Sequence, residues 1–142
     1  AIKVAKKNAE IHQVRKKVNF LNMDVDKYYS NKYDLIVSNP PYIKNSDLLS
    51  LDKDVKLNEP RIALSGGLTG FDVFIKIVNK CNSLLKNNGT LILEIGSTQV
   101  MQLKKILESN GFNRIKIYKD LNGIQRCVEG CKNNQWTILK II

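Results

Sequence analysis

The stretch YDLIVSNPPYI, residues 33–43, runs from an apolar, β-branched segment directly into two prolines and a tyrosine. Tyr33 to Val37 reads as a buried strand. Asn39 therefore stands where a strand ends, which is where open α/β sheets take their ligands. Upstream of this stretch, Val18 to Leu21 reads as a short strand followed by a polar connection. Further back, Ile2, Ala5 and Ala9 fall on one helical face, with Lys3, Lys6 and Lys7 mostly on the other. No N-cap residue precedes that helix, so the chain is expected to open inside an element of a larger, N-terminally incomplete whole.

Downstream, residues 45–61 read as a long polar loop of mixed charge and a candidate lid. Phe71, Phe74, Ile75, Val78, Cys81 and Leu85 recur at helical spacing, and KNNG at 86–89 is expected to close that helix. Cys81 then belongs to the core. TLILEI at 90–95 reads as a strand, and Val100 to Ser109 as an amphipathic helix stopped by Asn-Gly. RIKIY at 114–118 reads as another strand, with a last one near Ile124 to Val128 after the turn DLNG.

Helices alternating with strands imply an α/β fold in one domain, a mostly parallel sheet with helices on both faces. The last two strands are too close for a right-handed crossover, so they pair antiparallel. A mostly parallel sheet ending in an antiparallel hairpin is the outline of the S-adenosylmethionine-dependent methyltransferase fold, which is Rossmann-like.

The 142 residues suffice for one real core, and 43% hydrophobic with 25% charged residues is a globular composition. No apolar run nears the roughly 20 residues of a membrane span, and no signal-like start is visible. Three cysteines beside a single histidine suggest neither a disulfide framework nor a metal site, so a reduced, cytoplasmic protein is expected. The net charge of +10 is spread along the chain. It suits an acidic or nucleic-acid-bound partner, and it equally suits a genome whose base composition favours lysine codons.

The stiffness of the Asn-Pro-Pro-Tyr segment has a chemical reading. An amide nitrogen is a poor nucleophile because its lone pair is shared with the carbonyl. Accepting both of its N–H hydrogens in fixed positions localises that pair. The Asn39 side-chain oxygen and the Pro40 carbonyl are suited to do so, with Pro40 and Pro41 fixing φ and Tyr42 offering a flat face. The competing reading is a rigid turn leaving a strand.

Asn39, Pro40, Pro41 and Tyr42 together resemble the motif of methyltransferases acting on amide or exocyclic amino nitrogens, adenine and glutamine enzymes alike. NEPRIALSGGLTGFDVFIKIV at 58–78 resembles the release-factor glutamine N5-methyltransferases, the HemK/PrmC family. The likeness extends through VAKKNAE at 4–10, LLKNNGTLILEIG at 84–96 and DLNGIQR at 120–126. The resemblance implies S-adenosylmethionine as methyl donor and the glutamine of the Gly-Gly-Gln motif of peptide-chain release factors as acceptor. It implies a substrate amide site at Asn39, Pro40, Pro41 and Tyr42, with Asn39 also near the donor. Asp24 and Val25 match the stretch beside the cofactor's adenine, although an aromatic residue is common where Val25 stands.

In that family the glycine-rich cofactor loop and the ribose-binding acid precede the VAKKNAE helix, and this chain has neither. The first strands of the fold are expected to be lacking, which leaves the strand ending at Val37 with an open edge. SGGLTG at 65–70 does not have the spacing of a dinucleotide loop. Glu94 reads as a strand-end carboxylate able to reach substrate but more often solvated. His12 is expected to be exposed, and the spacing of Cys127 and Cys131 to be chance. Arg61 and Arg126 are candidates to order the lid and the last hairpin through carboxylates. The tail NNQWTILKII at 133–142 reads as an added edge strand or a partner contact. Three functions stand open: glutamine methylation of release factors, adenine methylation of DNA or RNA, and a non-catalytic remnant.

Overall fold

The computed structural model describes residues 1–30 and 32–133. Its centre is a four-stranded sheet of order β1-β2-β4-β3, with β1 at Tyr33–Ser38, β2 at Leu85–Glu94, β3 at Phe112–Lys119 and β4 at Gln125–Lys132. β1 and β2 are parallel, while β4 is antiparallel to both of its neighbours. β3 therefore points the same way as β1 and β2, and the parallel sheet ending in a hairpin is as expected. The short β3–β4 connection is shaped by Asp120. Its Oδ1 accepts from the N–H groups of Asn122 at 2.9 Å and Ile124 at 3.0 Å, and Gly123 takes a φ of 77° that suits glycine. Arg126 Nε donates to the other carboxylate oxygen at 3.1 Å, so this arginine does order the hairpin.

Among the described residues five α-helices accompany the sheet: α1 (Ile2–Ile11), α2 (Lys53–Asn58), α3 (Arg61–Leu64), α4 (Asp72–Leu84) and α5 (Val100–Ser109). α4 and α5 deliver Phe74, Val78, Cys81, Leu103 and Leu107 onto Leu91, Leu93 and Val128 of the sheet, all buried in one cluster. Each such side chain contributes roughly 1.5–3 kcal/mol by leaving water. Asn82 Nδ2 donates to the Asn110 carbonyl at 2.7 Å and ties α4 to the end of α5, where Gly111 turns the chain at a φ of 80°.

Four expectations are corrected. Residues 18–21 form no strand, because no neighbouring strand among the described residues offers them a ladder, and Leu21 is exposed. KNNG does not cap α4, which ends at Leu84. The four residues instead bulge from β2 between Leu85, paired with Tyr33, and Thr90, paired with Leu35, with Asn88 at a φ of 61°. The expected loop at 45–61 is largely built of a 3-10 turn at Asp47–Ser50, α2 and the start of α3. Finally, α4 and α5 share one core cluster and one sheet face. Leu35 and Val37 of the edge strand β1, which alternate with the core-packed Ile36, are 52% and 66% exposed. The C-terminal segment expected to add an edge strand lies, beyond Asn133, outside the described residues.

Candidate active site

β1 ends at Ser38, level with Leu93 of β2, and the chain leaves the carboxyl edge of the sheet through Asn39, Pro40, Pro41 and Tyr42. Pro40 is buried while Asn39 is exposed. Among the described residues, neither the Asn39 side chain nor the Pro40 carbonyl takes part in a hydrogen bond. Two carbonyls further along are engaged: Tyr42 accepts from Gln99 Nε2 at 3.1 Å and Ile43 from the Gly66 N–H at 2.7 Å. The Tyr42 ring lies nearly parallel to that of fully buried Phe74, with centroids 6.5 Å apart and 9° between planes. The core thus fixes the aromatic wall, and two acceptors are left unspent beside it.

A second segment clamps this exit. Ile43 N–H donates to the Leu64 carbonyl at 3.0 Å and Asn45 N–H to the Gly67 carbonyl at 2.9 Å, so Ile43 and Ser65 form a parallel bridge. Gly66 is required for the approach, since a Cβ there would stand 2.7 Å from both Cα and C of Tyr42. The loop is shaped in turn by Asp72 at the start of α4, whose Oδ2 accepts from the Leu68 N–H at 2.7 Å and whose Oδ1 accepts from the Thr69 hydroxyl. The Thr69 and Leu68 bonds hold the Asp72 carboxyl below its usual range. SGGLTG is therefore a brace for the Asn-Pro-Pro-Tyr turn.

Residues 39–43 line a cavity of ≈ 390 Å³ together with Glu59, Leu64 and Glu94. Glu94 is half-buried, so the strand-end carboxylate faces this cavity. Asp24 and Val25 lie elsewhere, in a neighbouring depression of ≈ 520 Å³ that also holds Lys76 and Ile77 and shares Pro41 with the first. Asp24 caps a 3-10 turn by accepting from the Asp26 N–H at 3.1 Å, and it pairs with Lys76 at 3.3 Å. The Asp26 N–H, then Lys76, hold its carboxyl below the usual range. Val25 packs against the core edge.

Gln99, whose side chain reaches Tyr42, Gly70 and Gly96, and the close approach at Gly66 are not legible in the sequence. A buried glutamine at a helix start carries no periodic signal, and its partners lie 57 and 29 residues away. His12 is exposed, as expected. Cys127 and Cys131 are free thiols on β4, and no group of potential metal ligands occurs among the described residues. Arg61 borders both the second depression and a further cavity near Leu48, and it forms no ion pair among the described residues. No described helix is long and apolar enough to cross a membrane.

A family model described as Eco57I restriction-modification methylase matches residues 2–124. The chain is 38% identical over 130 residues to a bifunctional methyltransferase of Rickettsia typhi, an overlap of 91% of this chain and 25% of that protein. It is 37% identical over 131 residues to a release factor glutamine methyltransferase of Clostridium acetobutylicum, covering 90% of this chain and 46% of that protein. The chain thus spans less than half the length of these curated relatives. A solved SAM-dependent O-methyltransferase from Thermotoga maritima superposes with a TM-score of 0.64 at 14% identity, over 93% of this chain and 46% of that one. The sheet outline expected from the sequence, parallel strands ending in an antiparallel hairpin, is the one observed.

Proposed function

The chain belongs to the family described as Eco57I restriction-modification methylase, and from its likeness to relatives named release factor glutamine methyltransferase we propose that it is part of the catalytic domain of a protein-glutamine N5-methyltransferase. In this reading a methyl group passes from S-adenosylmethionine to the side-chain amide nitrogen of the glutamine in the Gly-Gly-Gln motif of peptide-chain release factors, in the cytoplasm. The acceptor assignment follows relatives named release factor glutamine methyltransferase. The observation that carries it is the pair of unspent acceptors, the Asn39 side-chain oxygen and the Pro40 carbonyl, at the edge of a cavity braced by Gly66 and Gln99.

The chemistry follows from those acceptors. A primary amide entering the cavity presents two N–H hydrogens. Asn39 Oδ1 accepts one and the Pro40 carbonyl the other, which orients the nitrogen and draws its lone pair out of conjugation. Consecutive prolines hold both acceptors in place before the substrate arrives, so little reorganisation is needed at the reacting centre. Tyr42, held by Phe74, supplies a flat wall for the amide plane. Glu94, facing the same cavity, is positioned to lower the cost of positive charge appearing on the nitrogen, which then loses one of its N–H protons to solvent.

The neighbouring depression suits the adenine end of the donor: the Asp24 carboxylate can accept from an exocyclic amino group, and Val25, Val73 and Ile77 form an apolar wall. Val25 stacks less strongly on a base than an aromatic residue would. When bound, S-adenosylmethionine supplies an electrophilic methyl on a positively charged sulfur, and Pro41 borders both spaces.

A second reading, methylation of an adenine amino group, is favoured by the family description and by the net charge of +10. The two are separated by incubating the full-length protein with methyl-labelled S-adenosylmethionine and either release factor or nucleic acid. Label on the release-factor glutamine, located by peptide mass spectrometry, supports the proposal. Label on nucleic acid alone overturns it.

A further inference from the structure

Gln99 is the one polar side chain among the buried residues described, 8% exposed, and every hydrogen-bonding group of its amide is used across three chain segments. Nε2 donates to the Tyr42 carbonyl at 3.1 Å and to the Gly70 carbonyl at 3.1 Å, while Oε1 accepts from the Gly96 N–H at 3.0 Å. These partners belong to the exit from β1, the brace before α4 and the turn between β2 and α5. The amide orientation is dictated by its partners, because a flipped side chain would set its oxygen against two carbonyls and its NH2 against an N–H. We infer that Gln99 is a positioning residue for amide transfer, acting through the Tyr42 carbonyl on the acceptors of Asn39 and Pro40; this rests on the reading above.

The coupling is short and stiff. Only Pro40 and Pro41 separate Asn39 from Tyr42, and both have φ locked by their rings, with Asn39 restricted by the proline after it. A rotation of the Tyr42 carbonyl therefore has few soft torsions in which to dissipate before reaching the Pro40 carbonyl. The same glutamine holds Gly70, whose positive φ of 78° closes the brace under Tyr42. No other side chain of similar volume supplies two donors and one acceptor in this plane. Methionine fills the space without polar groups, and ionised glutamate presents only oxygen to two carbonyls.

The test uses the full-length protein with Gln99→Met and Gln99→Glu, measuring kcat, both KM values and amide hydrogen exchange at Ile43 and Gly66. In Gln99→Met, kcat is expected to fall about 100-fold, as small displacements at a reacting centre do, with the KM for S-adenosylmethionine unchanged. Exchange should rise at Ile43 and Gly66 while the α4–α5 core stays protected. Gln99→Glu should recover kcat relative to the parent protein as pH falls, because a protonated carboxyl donates one bond and accepts another. Parent-like kcat and exchange in Gln99→Met overturn the inference, as does a loss of protection spread over the whole chain. If the parent protein transfers nothing to release factor, the proposed function fails, and local exchange at Ile43 and Gly66 still decides whether Gln99 holds the turn.

Discussion

A Cβ added to Gly66 would lie 2.7 Å from the Cα and the carbonyl carbon of Tyr42, so the brace and the proposed amide site touch backbone to backbone. Backbone atoms cannot swing aside as the end of a flexible side chain can. Gly66→Ala should therefore push the Ile43–Ser65 bridge apart and destabilise the protein by about 1–3 kcal/mol, as overpacking does. Urea denaturation reads the loss, and a midpoint equal to the parent's would mean that the approach is looser than described.

Asn39 presents the opposite case, an exposed side chain with no hydrogen bond to the rest of the described protein. Asn39→Ala should leave unfolding within about 0.5 kcal/mol of the parent. Methyl transfer should fall by about 100-fold or more, because one preorganised acceptor is gone. Full activity in this variant would remove Asn39 from the proposed mechanism.

These two residues also mark what the sequence discloses. The strand Tyr33 to Val37, the helices around Phe74 and Leu103 and the final hairpin were legible because apolar periodicity and turn residues are local signals. The strand expected at Val18 to Leu21 failed because a strand exists only with a partner, which no local pattern specifies. KNNG carries no local mark that tells a bulge from a helix end, because Asn and Gly serve both. Asn39 was legible through its two prolines. Gln99 and the Gly66 contact depend on segments brought together by the fold, and nothing near them in sequence announces the meeting.

All three cysteines are free thiols, but Cys81 lies in the core, where burial pushes its thiol up to about 11, whereas Cys127 and Cys131 are only half-buried on β4. Thiolate is the reactive form, so Cys81 should resist alkylation in the native state. Iodoacetamide at neutral pH followed by peptide mass spectrometry is expected to label Cys127 and Cys131 ahead of Cys81, and all three after denaturation. Prompt labelling of native Cys81 would contradict its packing against Leu103 and its neighbours in the core cluster.

The Asp72 carboxylate organises the brace by accepting from Leu68 and Thr69, and those bonds, the Thr69 hydroxyl first, lower its pKa in the folded state. A carboxyl with a folded pKa below its unfolded value contributes stability above the unfolded value, near 3.9, and loses it as pH falls through the folded one. The contribution of Asp72 is thus complete at neutral pH and disappears below about pH 4. Asp24 and Asp120, also lowered by backbone N–H bonds, titrate in the same window, so acid unfolding alone does not isolate Asp72. Asp72→Asn does, because the amide keeps one acceptor and cannot titrate. The variant should be less stable than the parent at pH 7, and the two urea midpoints should converge as pH is lowered below about 4. Parallel midpoints across that range would show that the Asp72 charge contributes nothing to holding the loop beneath Tyr42.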